Sequence, residues 1–200
     1  IGALLLKAHP GTAFSDKDRE LLGFVSAQVA TAIERSRLKA ELLRAARYDE
    51  LTGLPNRRLF HDRIDTALAR SRRRQGRMAL LYIDLDDFKG VNDTLGHAAG
   101  DRLLQEIGRR LERCVRRADT VARLGGDEFV VILEDIHGPQ DAAAVADKIH
   151  HSLRQPFAIA DHTLHARASI GVAIHPEDGD DADSLIKHAD RRMYRDKARG

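Results

Sequence analysis

The chain has 200 residues, with 33 Lys and Arg against 31 Asp and Glu, and a net charge of +2 excludes a general attraction to nucleic acid or to an anionic membrane. Hydrophobic residues make up 42%, enough for one packed domain with an appendage, and a single cysteine, Cys114, excludes an internal disulfide and fits the reducing cytoplasm. No stretch approaches the roughly 20 apolar residues of a membrane span, no signal-peptide pattern appears, and the ten histidines lack zinc-site spacing.

In chain order, Gly2 to Ala8 reads as a short strand, followed by a loop with Pro10 and Gly11. The first residue is Ile1, so a longer parent protein is expected. Ser15, with Asp18 three residues on, predicts a capping box that opens a helix. Leu21, Val25, Val29 and Ile33 recur every four residues, and Leu38, Leu42 and Leu43 extend the apolar pattern toward Tyr48. A helix of about 30 residues exceeds the three to four turns usual in globular domains, so it is expected to bridge two domains. Pairing with its twin in a dimer and lying on the next domain both remain open.

After Pro55, Asn56 can cap a helix from Arg57 to Arg74. The basic run Arg70 to Arg77 then reads as a solvated helix end. Met78 to Leu85 reads as a buried strand and Phe88 to Leu95 as a short helix. A longer helix is predicted from Asp101, with Leu104, Ile107, Leu111 and Val115 on its apolar face. The runs Val121 to Leu124 and Phe129 to Leu133 form a hairpin that Gly125-Gly126 can close as a two-residue turn. A helix near Gln140 to Leu153, strand-like stretches at Phe157 to Ala160 and Leu164 to His175, and a last helix from Ala182 follow. Such interleaving predicts an α/β layered domain with a largely antiparallel sheet.

Acid at two strand ends is the informative chemistry. The Met78 strand runs straight into Asp84, Asp86 and Asp87, and the hairpin carries Asp127 and Glu128 at its tip. Acids beside a turn are common by themselves. Two acid-tipped strands suggest one shared cation, since Mg²⁺ needs only two or three carboxylates and fills its shell with water and substrate phosphate. Two such ions stabilise both the attacking and the leaving oxygen of a phosphoryl displacement.

Four blocks in order carry a family likeness: Asp49-Glu50-Leu51-Thr52-Gly53-Leu54-Pro55-Asn56-Arg57-Arg58; Asp84-Leu85-Asp86-Asp87-Phe88-Lys89, with Asn92-Asp93 and Gly96-His97 through Gly100-Asp101; Arg123-Leu124-Gly125-Gly126-Asp127-Glu128-Phe129; and Ala189-Asp190 with Tyr194 and Lys197. From Tyr48 onward the sequence resembles a GGDEF domain, the catalytic module of diguanylate cyclases. The resemblance implies the palm-like fold of nucleotidyl cyclases, with a central, mostly antiparallel sheet flanked by helices. It also implies condensation of two GTP into cyclic di-GMP across a homodimer, with two Mg²⁺ or Mn²⁺ per active site. Residues 1–47 resemble the closing strand and last helix of a GAF sensory domain, continued by a signalling helix, so the expected division is 1–47 and 48–200.

By the same resemblance, Asp84, Asp127, Glu128 and the Leu85 carbonyl are metal ligands, the three acids being the catalytic set. Asn92 and Asp101 match guanine-binding positions; locally, Asn92 also reads as a turn residue and Asp101 as a helix N-terminal acid. Phe88, Lys89, Arg123, Gly125, Gly126 and Lys197 match phosphate-binding positions, although Lys89 and Lys197 also read as surface lysines and Arg123 as the partner of a neighbouring acid. Arg116 and Asp119 match the family's product-inhibition motif, or form an i,i+3 ion pair at a helix end.

The sequence departs from the pattern in having Asp127 where many relatives have Glu, and in ending before a basic residue expected four positions after Lys197. That end suggests a following EAL-type phosphodiesterase. Two other readings stay open: a GTP-binding module tuning such a domain, and a fragment that dimerises through its long helix.

Overall fold

A computed structural model describes residues 15–159 and 162–198, so the expected strand at Gly2 to Ala8 lies outside the described residues. The chain divides into two compact units, 1–46 and 47–200. The first holds helix α1 (Asp16–Ala45), whose 30 residues begin at the expected cap. Ser15 Oγ accepts from the Asp18 amide at 3.2 Å, and the Asp18 carboxylate accepts from the Ser15 amide at 2.9 Å. Leu21, Phe24, Val25, Val29, Ile33, Leu38, Leu42 and Leu43 are all exposed on it.

The second unit is built on strands β1 (Arg77–Asp86), β2 (Thr120–Gly125), β3 (Glu128–Ile136) and β6 (Arg167–His175), hydrogen-bonded in the order β2-β3-β1-β6. Every pairing is antiparallel. A small ribbon of β4 (Phe157–Ile159) and β5 (His162–Leu164) stands apart. The helices are α2 (Arg57–Arg74), α3 (Phe88–Leu95), α4 (His97–Cys114), α5 (Pro139–Arg154) and α6 (Ala182–Lys197).

Strand β1 lies inside the sheet because it is apolar on both faces. Ala79, Leu81, Ile83 and Leu85 join one core with Leu104, Ile107 and Leu111 of α4 and Ile149 and Leu153 of α5. Met78, Leu80 and Tyr82 join the other with Phe60, Ile64 and Leu68 of α2 and Leu185, Ala189 and Met193 of α6. At Gly171 of β6, an added Cβ would lie 1.9 Å from the Ala189 carbonyl oxygen, so only glycine lets α6 lie this close to the sheet.

Three elements differ from expectation. Helix α4 starts at His97, not Asp101, because Gly96 at φ +83° breaks the chain between α3 and α4. Asp101 therefore sits one turn inside the helix, and the N-terminal explanation for it fails. The hairpin closes through Gly126-Asp127: Gly125 still pairs with Glu128, and the register slips between Arg123 and Gly125. The expected Leu164 to His175 strand is interrupted after Leu164, leaving β5 and β6.

Candidate active site

The site forms where β1 ends and β3 begins. Asp84 and Glu128 are direct cross-strand partners, so their side chains leave the same face of the sheet. Like charges directly opposite one another are destabilising unless a cation lies between or beside them. One cation is already there: the Lys197 ammonium of α6 donates to Asp84 Oδ1. That bond raises the Lys197 pKa, and the charges of Asp84, Asp127 and Asp86 raise it further. Asp84 and Asp86 of β1 and Asp127 of the β2–β3 turn thus all act electrostatically on one ammonium, which bonds Asp84.

Glu128 is held from two sides. Its Oε1 accepts from the Tyr82 hydroxyl at 3.0 Å, and Arg57 Nη2 lies 3.6 Å from its Oε2. Burial, followed by the negative charge of Glu128, pushes the Tyr82 phenol far above its ordinary range. Asp190 adds to the same effect. Tyr82 thus stays protonated and donating.

The glycine turn is braced from below. Arg123 Nη1 donates to both Asp49 oxygens at 2.9 and 3.0 Å, while its Nε and Nη2 donate to the Gly126 carbonyl at 3.0 and 2.7 Å. Asp49 also accepts from the Thr52 amide at 2.8 Å and hydroxyl at 2.6 Å. Burial alone would raise the Asp49 pKa, but these bonds from Thr52 and Arg123 outweigh it and hold it below the usual carboxylate range. The Arg123 side chain is only 10% exposed and pairs with Asp49, the neighbouring-acid contact considered from sequence. At Gly125 (φ +139°) and Gly126 (φ +54°) an added Cβ would meet nothing within 4 Å, so the turn is open on its outer side while its backbone favours glycine.

Asn92 lies against α4 at Gly100, the residue before Asp101. An added Cβ at Gly100 would lie 2.0 Å from Asn92 Oδ1, so the Asn92 amide rests on α4 beside the start of the Asp101 turn. Phe88 is half-buried against the main core, and Lys89 is exposed. Arg116 and Asp119 lie after α4, where Asp119 Oδ2 accepts from the Arg116 backbone amide at 2.8 Å and Oδ1 from the Glu134 amide at 3.2 Å. The i,i+3 link is therefore a backbone turn, not the ion pair considered from sequence, and the Arg116 side chain is exposed. Both residues line a recess of ≈ 260 Å³ with Lys148 and Asp141.

Among the described residues, no three His, Cys, Asp or Glu side chains converge as a closed metal cage. Asp84 and Glu128 instead fit a hard divalent ion that keeps water and takes substrate phosphate as ligands, with the Leu85 carbonyl as a further candidate. Tyr82, Arg57, Asp49 and Thr52 had no assigned role in the sequence reading. The Asp49-x-x-Thr52 spacing, typical of a side-chain turn, is the one local signal for any of them.

The family model described as "Diguanylate cyclase, GGDEF domain" matches residues 46–200. The chain belongs to the GGDEF-domain family of diguanylate cyclases. The chain is 44% identical over 172 residues to the bifunctional diguanylate cyclase/cyclic di-GMP phosphodiesterase MucR of Pseudomonas aeruginosa, covering 86% of this chain and 25% of MucR. It is similar to the solved GGDEF domain of TpbB from the same organism, with TM-score 0.75, 42% identity and coverage of 76% of this chain and 90% of that one. The coiled coil and GGDEF domain of DgcB from Caulobacter crescentus, solved with c-di-GMP, gives TM-score 0.77 at 28% identity and covers 90% and 95% of the two chains. The chain spans 36% of full-length TpbB, so the sequence relatives are much longer than it. No helix among the described residues is long and apolar enough to cross a membrane.

Proposed function

We propose that this GGDEF domain is a diguanylate cyclase, condensing two GTP into cyclic di-GMP with release of two pyrophosphates. The observation that carries the reading is the Asp84–Glu128 cross-strand pair, with Asp127 on the adjoining turn. In this reading Asp84, Glu128 and the Leu85 carbonyl hold divalent ions, Mg²⁺ or Mn²⁺, and Asp127 completes the acidic set. The ions, when bound, neutralise charge on the reacting phosphates. Lys197 and Lys89 bind triphosphate oxygens, and the bare backbone of Gly125 and Gly126 lets phosphate approach. Asn92 and Asp101 read the guanine edge: a carboxylate accepts from its two adjacent donors, whereas adenine would leave the acid unpaired.

Each domain holds one GTP. Each 3′-oxygen must therefore attack the α-phosphate of GTP carried by another copy, with a two-fold encounter of the two faces. Positioning and charge neutralisation supply most of the acceleration. Product returning to Arg116 and Asp119 would inhibit, since arginine engages phosphate or guanine bidentately. Residues 1–47 are read as a GAF-like end and signalling helix that controls the encounter in a longer cytoplasmic protein.

Because this chain covers a quarter of the bifunctional MucR, a GTP-binding module regulating an attached EAL-type phosphodiesterase is the second reading. Incubation with GTP and Mg²⁺, followed by chromatography of the nucleotides, separates the two. Cyclic di-GMP that disappears with Asp84→Asn supports the cyclase; GTP binding with no cyclic product at any protein concentration supports the module.

A further inference from the structure

Tyr82 lies on β1 two residues before Asp84, on the same face, and is 6% exposed. Its cross-strand partners are Val130 on β3 and Gly171 on β6. Glu128 is thus its diagonal neighbour, at the roughly 7–8 Å backbone separation that an aromatic side chain can span. The ring is packed in the core with Leu80, Val130 and Met193, and a tyrosine has few torsions through which to escape. Its hydroxyl is therefore a donor fixed from inside the fold, 3.0 Å from Glu128 Oε1. The other neighbour of that carboxylate is different in kind. Arg57 approaches Oε2 only to 3.6 Å, from a side chain that is 57% exposed.

We propose that Tyr82 is a positioning residue for Glu128: its hydroxyl takes one lone pair of Oε1, fixes the carboxylate plane, and leaves Oε2 and the second Oε1 lone pair for a divalent ion shared with Asp84. This rests on the metal role read for Asp84 and Glu128. Without the hydroxyl, the carboxylate is free to turn outward toward Arg57, and the ion loses a preset ligand. The ring is not needed for this effect, only its oxygen. Outer-shell donors of this kind typically change metal affinity by about 10–100-fold when removed.

The test is Mn²⁺ titration, followed by electron paramagnetic resonance, of the full chain with 3′-deoxy-GTP, which cannot be cyclised. Wild type, Tyr82→Phe and Asp84→Asn are compared, with metal-free melting curves for each. The proposal expects Tyr82→Phe to weaken Mn²⁺ by about 10–100-fold while its metal-free melting temperature stays close to wild type. It also expects turnover to recover at saturating Mn²⁺, so that metal demand changes more than kcat. If Tyr82→Phe binds Mn²⁺ like wild type while Asp84→Asn does not, the metal site stands and the role of Tyr82 is overturned. A lower melting temperature with unchanged Mn²⁺ affinity makes Tyr82 a packing residue and overturns it equally. If Asp84→Asn also binds Mn²⁺ like wild type, the metal reading fails and takes this proposal with it.

Discussion

Asp127 sits at the tip of the β2–β3 turn, half-exposed and outside both cores. A change there touches little packing, so Asp127→Ala should leave the melting temperature nearly unchanged, within the roughly 0.5 kcal/mol typical of surface substitutions. Turnover should be lost; near-normal turnover of Asp127→Ala would remove it from the catalytic set. Asp49 behaves oppositely, since its partners hold its folded pKa below the unfolded value. Such a group stabilises the fold above an unfolded pKa of about 3.9 and loses that contribution as pH falls through the folded value. Melting temperatures taken from pH 6 down to pH 2.5 should show wild type above Asp49→Asn at the upper end, with the gap closing at the lower. A constant gap would mean that the charge of Asp49 has no part in bracing the turn.

At the scale of elements, local chemistry announced itself and distant pairing did not. The Ser15 and Asn56 caps and the apolar run of β1 are properties of neighbouring residues: α1 and α2 start where the caps predict, and β1 one residue before the expected Met78. The start of α4 depends on the backbone angle at Gly96, which allows a break but does not require one. The allegiance of Arg123 was ambiguous because Asp49 lies 74 residues away, on the loop before α2. Asp84 and Asp127 can be associated from their acid-tipped strands, yet the metal role proposed for them rests on family likeness and not on spacing. Tyr82 looked like one more apolar strand residue, since nothing in the sequence shows that its oxygen meets Glu128. The contact of β6 with α6 makes a separate prediction. Gly171→Ala would push a methyl into the α6 backbone, at a cost of about 1–3 kcal/mol or more. For a domain of this size that is a fall of about 3 to 10 °C in melting temperature. No fall would mean that α6 can lift from the sheet freely.

For the whole molecule, the decisive feature is that one domain carries one half of the proposed chemistry. In the proposed reading, divalent ions held by the acids at the end of β1 and the start of β3 grip one triphosphate, while ring closure needs a second GTP presented by another copy. The exposed apolar residues along α1 are available to a partner, but the requirement for two copies follows from the reaction's symmetry and not from that helix. Initial rate against protein concentration, at saturating GTP and Mg²⁺, tests this most directly. The proposed cyclase should give cyclic di-GMP with a rate that rises as about the square of concentration until the two-copy state saturates. Cyclic di-GMP formed in strict proportion to protein down to the lowest concentrations, from a chain that sediments there as a monomer, would contradict it.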